Sequence, residues 1–249
     1  MAKTEKFHVI LSNIDETLSV KVGQFEIRNS QSEKLLGVTL DRKLSANEHV
    51  TNLCKKASNK LHALARISRY MNAEKRKIIM KSFITSQFGY CPLVWMMHSR
   101  ILNNRINKIH ERALRIVYDD INSSFEELLC KDNSVTIHTR NIQALATELF
   151  KVVSGQSPEI IKEVFSLKEN VPYCTKFPFK TRNVRTVAYG TNTISFLGPK
   201  IWAIVPTAIK ESKSLVEFKR EICKWKPERC PCRLCDTYIT DLGFVNVAD

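Results

Sequence analysis

A cluster of cysteines near the C-terminus is the group best suited, by residue type and spacing, to chemistry. Cys230, Cys232 and Cys235 follow one another closely, and Cys223 precedes them on a predicted helix. Zinc takes thiolate and imidazole ligands in a tetrahedron. The four cysteines therefore predict a zinc site. Their spacing is not that of paired C-x-x-C motifs, so reduced thiols in a short tail remain the alternative.

The histidines form no recognisable catalytic group. His49, His62 and His110 lie beside apolar positions of predicted helices. None of them has a serine or cysteine nucleophile and an orienting acid at a suitable spacing. We predict no catalytic residue in this chain.

Positive charge is concentrated in the middle of the chain. The 249 residues carry 39 basic and 25 acidic side chains, a net charge of +14. Residues 45–118 hold 14 of the basic residues and only three acidic ones, so +11 of the charge lies in under a third of the chain. This distribution favours a polyanionic partner such as a nucleic acid. No apolar stretch approaches the ~18 residues of a membrane span, and no secretory signal is recognised, so we expect an intracellular protein, cytoplasmic or nuclear, without a membrane partner.

Hydrophobic periodicity predicts a mainly α chain with a short β region at its start. Residues 1–44 contain three predicted strands, at 7–11, 25–27 and 34–40. Helices are predicted through residues 45–165, the first with Ser45 and Glu48 as a capping box and the third from about Arg100 to Tyr118. Residues 166–249 form a smaller mixed region, β-like at 193–196, with a last helix from Ser214 capped toward Glu217.

The predicted third helix separates its apolar and basic residues. At about 100° per residue its apolar positions share one narrow arc. Four basic residues line the flank beside that arc, with no acid among them, and two lysines of the first helix also point away from its apolar stripe. A solvated charged face is the alternative to nucleic-acid contact. The predicted phosphate contacts are Lys55, Lys60, Arg105, Lys108, Arg112 and Arg115.

Two blocks of the sequence resemble a known family. The first contains the segments EKLLGVTLD at 33–41, QFGYCPLVW at 87–95 and HERALR at 110–115. The second contains SFLGPKIW at 195–202, followed by WKP at 225–227 and the cysteine cluster. In this order the segments resemble the C-terminal part of the reverse transcriptase of non-LTR, jockey-like retrotransposons.

This resemblance implies three regions. They are the end of a polymerase palm at 1–44, an α-helical thumb bundle at 45–165 and a C-terminal region with a cysteine-rich tail at 166–249. Lys6 resembles the lysine of palm motif D, a proton donor to the leaving pyrophosphate. Gly37 lies in a segment resembling the hairpin that grips the primer end, where a residue without Cβ allows close approach of a ligand.

The resemblance also implies that the catalytic carboxylates are missing. In this family the aspartates that hold two magnesium ions lie upstream of motif D, and the resemblance implies that this sequence begins within the palm. Tyr118-Asp119-Asp120 lacks the spacer of the catalytic hairpin and lies downstream of the primer-grip segment, so we interpret it as a helix end. We expect magnesium only in an intact parent polymerase and no polymerisation by this chain alone.

These observations predict a nucleic-acid-binding fragment of an RNA-directed DNA polymerase. Its thumb holds RNA or an RNA–DNA template–primer duplex through phosphate contacts, which position a nucleic acid without reading its sequence. The main alternative is a non-enzymatic, host-adapted adaptor that binds nucleic acid or an acidic protein. A third interpretation is a pseudogene fragment whose unpaired strand edges prevent stable folding.

Overall fold

Helices dominate the part of the chain that the structure describes, which confirms the mainly α prediction. This structure is a computed structural model. It describes residues 20–27, 30–165, 167, 178–180, 184–186, 190–228, 230–232 and 234. The strand predicted at 7–11 lies outside these residues.

The chain divides into two units, Met1–Asp120 and Ile121–Asp249. The boundary falls inside the range 45–165 that the sequence predicts as one helical domain. The reason is packing. The helix at Ile137–Val153 packs against helices that come later in the chain, and all of them belong to the second unit. Periodicity alone identifies such helices but does not reveal their packing partners.

Two antiparallel hairpins precede the helices of the first unit. Strand β1 (Val20–Val22) pairs with β2 (Phe25–Ile27), and β3 (Ser32–Leu35) pairs with β4 (Val38–Asp41). The single strand predicted at 34–40 is therefore wrong. The backbone reverses at Leu36 and Gly37, which have φ angles of 47° and 87°. Two successive positive φ angles are typical of a tight two-residue hairpin turn.

The remaining elements of the first unit are helical. The α-helices are α1 (Asn47–Ile67), α2 (Ala73–Ile79), α3 (Pro92–Trp95) and α4 (Arg100–Tyr118). A π-helical turn at Met80–Ile84 and a 3-10 turn at Thr85–Phe88 extend α2.

The predicted start of α1 is only partly correct. The capping box of Ser45 and Glu48 does not form, and the N-cap residue is Ala46 without a side-chain cap. The Ser45 hydroxyl instead donates to the Asp41 carboxylate at 3.0 Å and accepts from the Asn47 amide at 3.3 Å. The loop after β4 therefore uses the serine that the sequence assigned to the helix.

Helices α1 and α4 pack together and form the core of the first unit. Most of the predicted apolar stripe of α4 is buried, and so is most of the stripe of α1. Arg76 of α2 joins this core from the side, because its guanidinium donates to the Ile116 carbonyl at 3.0 Å. Trp95 is a fully buried aromatic side chain of this unit, and its Nε1 donates to the Tyr90 carbonyl at 2.8 Å.

The second unit is built around one central helix. Its helices are α5 (Phe125–Asp132), α6 (Ile137–Val153), α7 (Glu159–Val164), α8 (Ile194–Ile204), α9 (Thr207–Lys210) and α10 (Leu215–Ile222). Helix α6 packs against α8 and α10. The cap predicted at Ser214 is confirmed, since its hydroxyl accepts from the Glu217 amide at 3.2 Å. The β-like assignment of 193–196 is wrong, because α8 begins at Ile194.

Aromatic rings fill the core of the second unit. The Phe218 ring stacks on Phe150 at 4.3 Å and on Trp202 at 6.3 Å between centroids. Gly198 of α8 makes room for a further ring, that of Phe165. A Cβ at that position would lie 2.6 Å from Cε1 of Phe165, closer than non-bonded carbons approach.

Candidate functional site

The exposed face of α4 carries three cations on one line. Arg105, Lys108 and Arg112 are exposed, and they lie within about 60° around the helix axis at about 100° per residue. Among the described residues, no acidic side chain pairs with any of the three. These three residues, here called the basic face, form the most concentrated part of the predicted site.

Arg105 lies where α4 meets α1. Burial raises the pKa of the Cys54 thiol to about 11, although the nearby Arg105 guanidinium opposes that rise. Cys54 is fully buried on α1. Arg105 is therefore an exposed residue whose charge still acts on a buried side chain of α1.

Arg115 differs from the three cations of the basic face. Its Nη2 lies 2.7 Å from Oε1 of Glu111, one helical turn earlier, and its Nε donates to the same oxygen at 3.2 Å. The expectation that this flank carries no acid is therefore wrong. Arg115 is also only about one quarter exposed, so it is less available to a phosphate than its neighbours.

The two predicted lysines of α1 do not share one surface. Lys55 and Lys60 are separated by about 140° around the helix axis. The ammonium of Lys60 lies 5.9 Å from the ring centroid of Phe83, which draws it toward the π-helical turn. Lys55 is exposed. The structure thus brings together Arg105, Lys108 and Arg112 but not all six predicted contacts.

Gly37 lies at the tip of the β3–β4 hairpin. Its positive φ favours glycine, and a Cβ there would meet the Tyr90 ring at an ordinary contact distance of 3.5 Å. Backbone conformation, rather than close approach of a ligand, accounts for this glycine within the chain. The Tyr90 hydroxyl donates to the Leu36 carbonyl at 2.7 Å, and Leu36 is 83% exposed. Lys6 lies outside the described residues.

A group able to hold a metal ion lies in the second unit. It consists of His138, Cys230 and Cys232, whose possible ligand atoms all lie within 4.8 Å of one another. His138 and Cys232 are buried, and Cys230 is half-buried. Two of the three residues belong to the predicted cysteine site, while the histidine was not predicted as a ligand.

The other two predicted ligands are not part of this group. Cys223 is exposed at the C-terminal end of α10, and its carbonyl accepts from Nε2 of Gln143 at 3.2 Å. Cys235 lies outside the described residues. No local sequence signal identifies His138 as a ligand, because it precedes Cys230 by 92 positions.

Comparison of the chain with protein-family models, with curated proteins and with solved structures finds no match in any of the three. Within the described ranges, no helix has both the length and the apolarity needed to cross a membrane. The function is therefore argued below from the residues and their geometry.

Proposed function

We propose that the first unit binds the phosphate backbone of RNA or of an RNA–DNA duplex through the basic face of α4. One observation carries this proposal: three exposed cations lie on one side of a helix with no acid paired to them among the described residues. Arginine and lysine contacts of this kind position a nucleic acid without reading its bases. The RNA–DNA duplex as partner rests on the resemblance to a reverse transcriptase.

The spacing of the basic face suits a phosphate backbone. From Arg105 to Arg112 the helix rises by about 10.5 Å, at 1.5 Å per residue. Over that length one strand of a duplex presents about three phosphates, at about 3.4 Å of axis each. With α4 lying along one strand, the three side chains of the basic face would match about three phosphates.

In the proposed context this chain is the non-catalytic part of an RNA-directed DNA polymerase that holds template and primer. The resemblance implies that the carboxylates for metal-dependent phosphoryl transfer lie upstream of motif D, so we do not expect the chain alone to polymerise DNA. This assignment depends on the resemblance of the sequence segments, whereas the phosphate contacts depend only on the basic face.

Salt dependence tests the proposal. The full chain is titrated with a labelled RNA–DNA duplex at about 50 and about 200 mM salt, beside a variant with Arg105, Lys108 and Arg112 changed to alanine. Each lost phosphate contact reduces the slope of log affinity against log salt by about 0.9, so the variant is expected to lose about 2.7.

A matched control separates the basic face from bulk charge. The control changes Lys213, Lys219 and Lys226 to alanine, three exposed lysines of the second unit, and removes the same net charge. We expect it to retain the salt slope of the original chain. An equal loss of salt slope in the two variants would refute the basic face as the binding site. A folded original chain that does not bind the duplex would refute it as well.

A second candidate function is an adaptor that binds an acidic protein. Ile101 favours it, because this residue is 80% exposed and lies within the same arc as the three cations. Exposed apolar residues beside charges are typical of protein interfaces. A protein partner would bind at fixed stoichiometry and lose affinity on Ile101→Ala, whereas phosphate binding would change little.

A further inference from the structure

The sulfur–nitrogen distances in the group of His138, Cys230 and Cys232 are close to those of a tetrahedral metal site. Nε2 of His138 lies 3.2 Å from Sγ of Cys232 and 3.6 Å from Sγ of Cys230. Around a tetrahedral zinc ion with bonds of about 2.3 Å to sulfur and about 2.05 Å to nitrogen, a sulfur and a nitrogen ligand lie about 3.6 Å apart. The observed distances lie at this value and slightly below it.

Secondary structure holds the histidine in place. His138 occupies the first turn of α6, where the Thr136 hydroxyl caps the helix by accepting from the Thr139 amide at 3.1 Å. The imidazole is buried, and its Nδ1 has no hydrogen-bond partner among the described residues. Burial against the core, rather than an outer hydrogen bond, therefore fixes the ring with Nε2 toward the sulfurs.

Helix α6 also positions the segment that carries the cysteines. Gln143, a buried residue five positions after His138, donates to the carbonyls of Cys223 and Trp225 at 3.2 and 2.8 Å. Both contacts lie just before the Cys230-Pro231-Cys232 segment. The segment after α10 thus contacts α6 at two places. Its backbone carbonyls accept from Gln143, and its two cysteine sulfurs lie beside His138.

Without a metal ion, Nε2 of His138 can accept a hydrogen bond from only one of the two thiols, because a neutral imidazole has one acceptor nitrogen. With a metal ion, both sulfurs bind as thiolates and Nε2 contributes its lone pair. Two thiolates balance the charge of a divalent ion, which makes burial of the group less costly.

We propose that His138, Cys230 and Cys232 bind one zinc ion, which joins the segment after α10 to the start of α6. Thiolate and imidazole ligands favour zinc over magnesium or calcium, which bind oxygen ligands. The fourth position of the tetrahedron is left for water or a further side chain. This site lies in the second unit and does not depend on nucleic-acid binding by the first.

Elemental analysis of the full chain tests the site. Protein produced with zinc in the medium and then passed into metal-free buffer is expected to retain about one zinc per chain. His138→Asn removes the ligand nitrogen and leaves a shorter polar side chain, and Cys232→Ser removes a sulfur. Both variants are expected to lose the zinc. Cys223→Ser is the matched control and is expected to keep it.

Cobalt provides a measurement that does not depend on the variants folding. Metal-free original chain titrated with Co²⁺ is expected to develop the sulfur-to-cobalt charge-transfer band and the visible absorption of a tetrahedral site, and zinc is expected to abolish both. The proposal is overturned if the folded original chain retains no zinc and gives no such spectrum. The ligand assignment is overturned if His138→Asn keeps the zinc or if Cys223→Ser loses it.

Discussion

The acid on α4 provides a sharp test of how the basic face works. Glu111 lies beside the three cations and pairs with Arg115 through two contacts, at 2.7 and 3.2 Å. Glu111→Gln removes one negative charge from this side of the helix, while Nη1 of Arg115 keeps its contact with the Asp120 carbonyl at 3.5 Å. Arg115 lies about 20° around the axis from Lys108, so the loss of the acid beside it makes the potential at the basic face more positive.

The expected magnitude is that of one phosphate contact, because one negative charge beside the basic face is removed. The slope of log affinity against log salt should steepen by about 0.9, which corresponds to about eightfold tighter binding at about 0.1 M salt. The cost in folding is small, because a partly exposed pair at i and i+4 contributes about 0.3–0.5 kcal/mol. A gain in binding is thus expected with little change in thermal stability.

The assay is a fluorescence-anisotropy titration with the RNA–DNA duplex over a series of salt concentrations. Glu221→Gln is the control, since Glu221 also pairs with cations, Arg220 and Lys224, but lies in the second unit. It changes the net charge equally. An unchanged slope in Glu111→Gln, or the same change in both variants, would refute the role given to the basic face.

Two further predictions concern stability. Gly198→Ala places a methyl group against Phe165 and is expected to cost about 1–3 kcal/mol, seen as a lower urea midpoint by tryptophan fluorescence. Gly89→Ala, where the new Cβ would lie 3.4 Å from its nearest neighbour, should change the midpoint little. Burial lowers the pKa of His49 below 6.5, so its neutral form is the one that accepts from the Thr39 amide at 3.2 Å. Its contribution to the free energy of unfolding is complete above pH 6.5 and declines as the pH falls below that value. His49→Gln should therefore make the urea midpoint less sensitive to acid, and an unchanged sensitivity would contradict this.

Elements set by local patterns could be predicted from the sequence. Helix α4 begins at Arg100 and ends at Tyr118, as expected, because its apolar stripe is regular and Asp119 ends it in a left-handed conformation. The cap of α10 at Ser214 was predictable for the same reason. In both cases the signal lies within one or two helical turns.

Elements set by tertiary contacts could not be predicted in this way. Leu36 adopts a left-handed conformation that leucine rarely takes, so the sequence gives little warning of the hairpin turn. Helix α8 contains Gly198 and Pro199, both poor helix formers, and it is held by its apolar face packed on α6. His138 approaches the cysteines only because α6 and α10 pack together.

The long separation between His138 and Cys230 has a consequence for the order of events during synthesis. The two residues are 92 positions apart. A ribosome adding about 5–20 residues per second makes the cysteine roughly 5–20 s after the histidine. The proposed metal site is therefore incomplete on a nascent chain that already contains α6. Capture of the ion would thus mark a chain that has been translated through residue 232 and has docked its late segment onto an earlier helix.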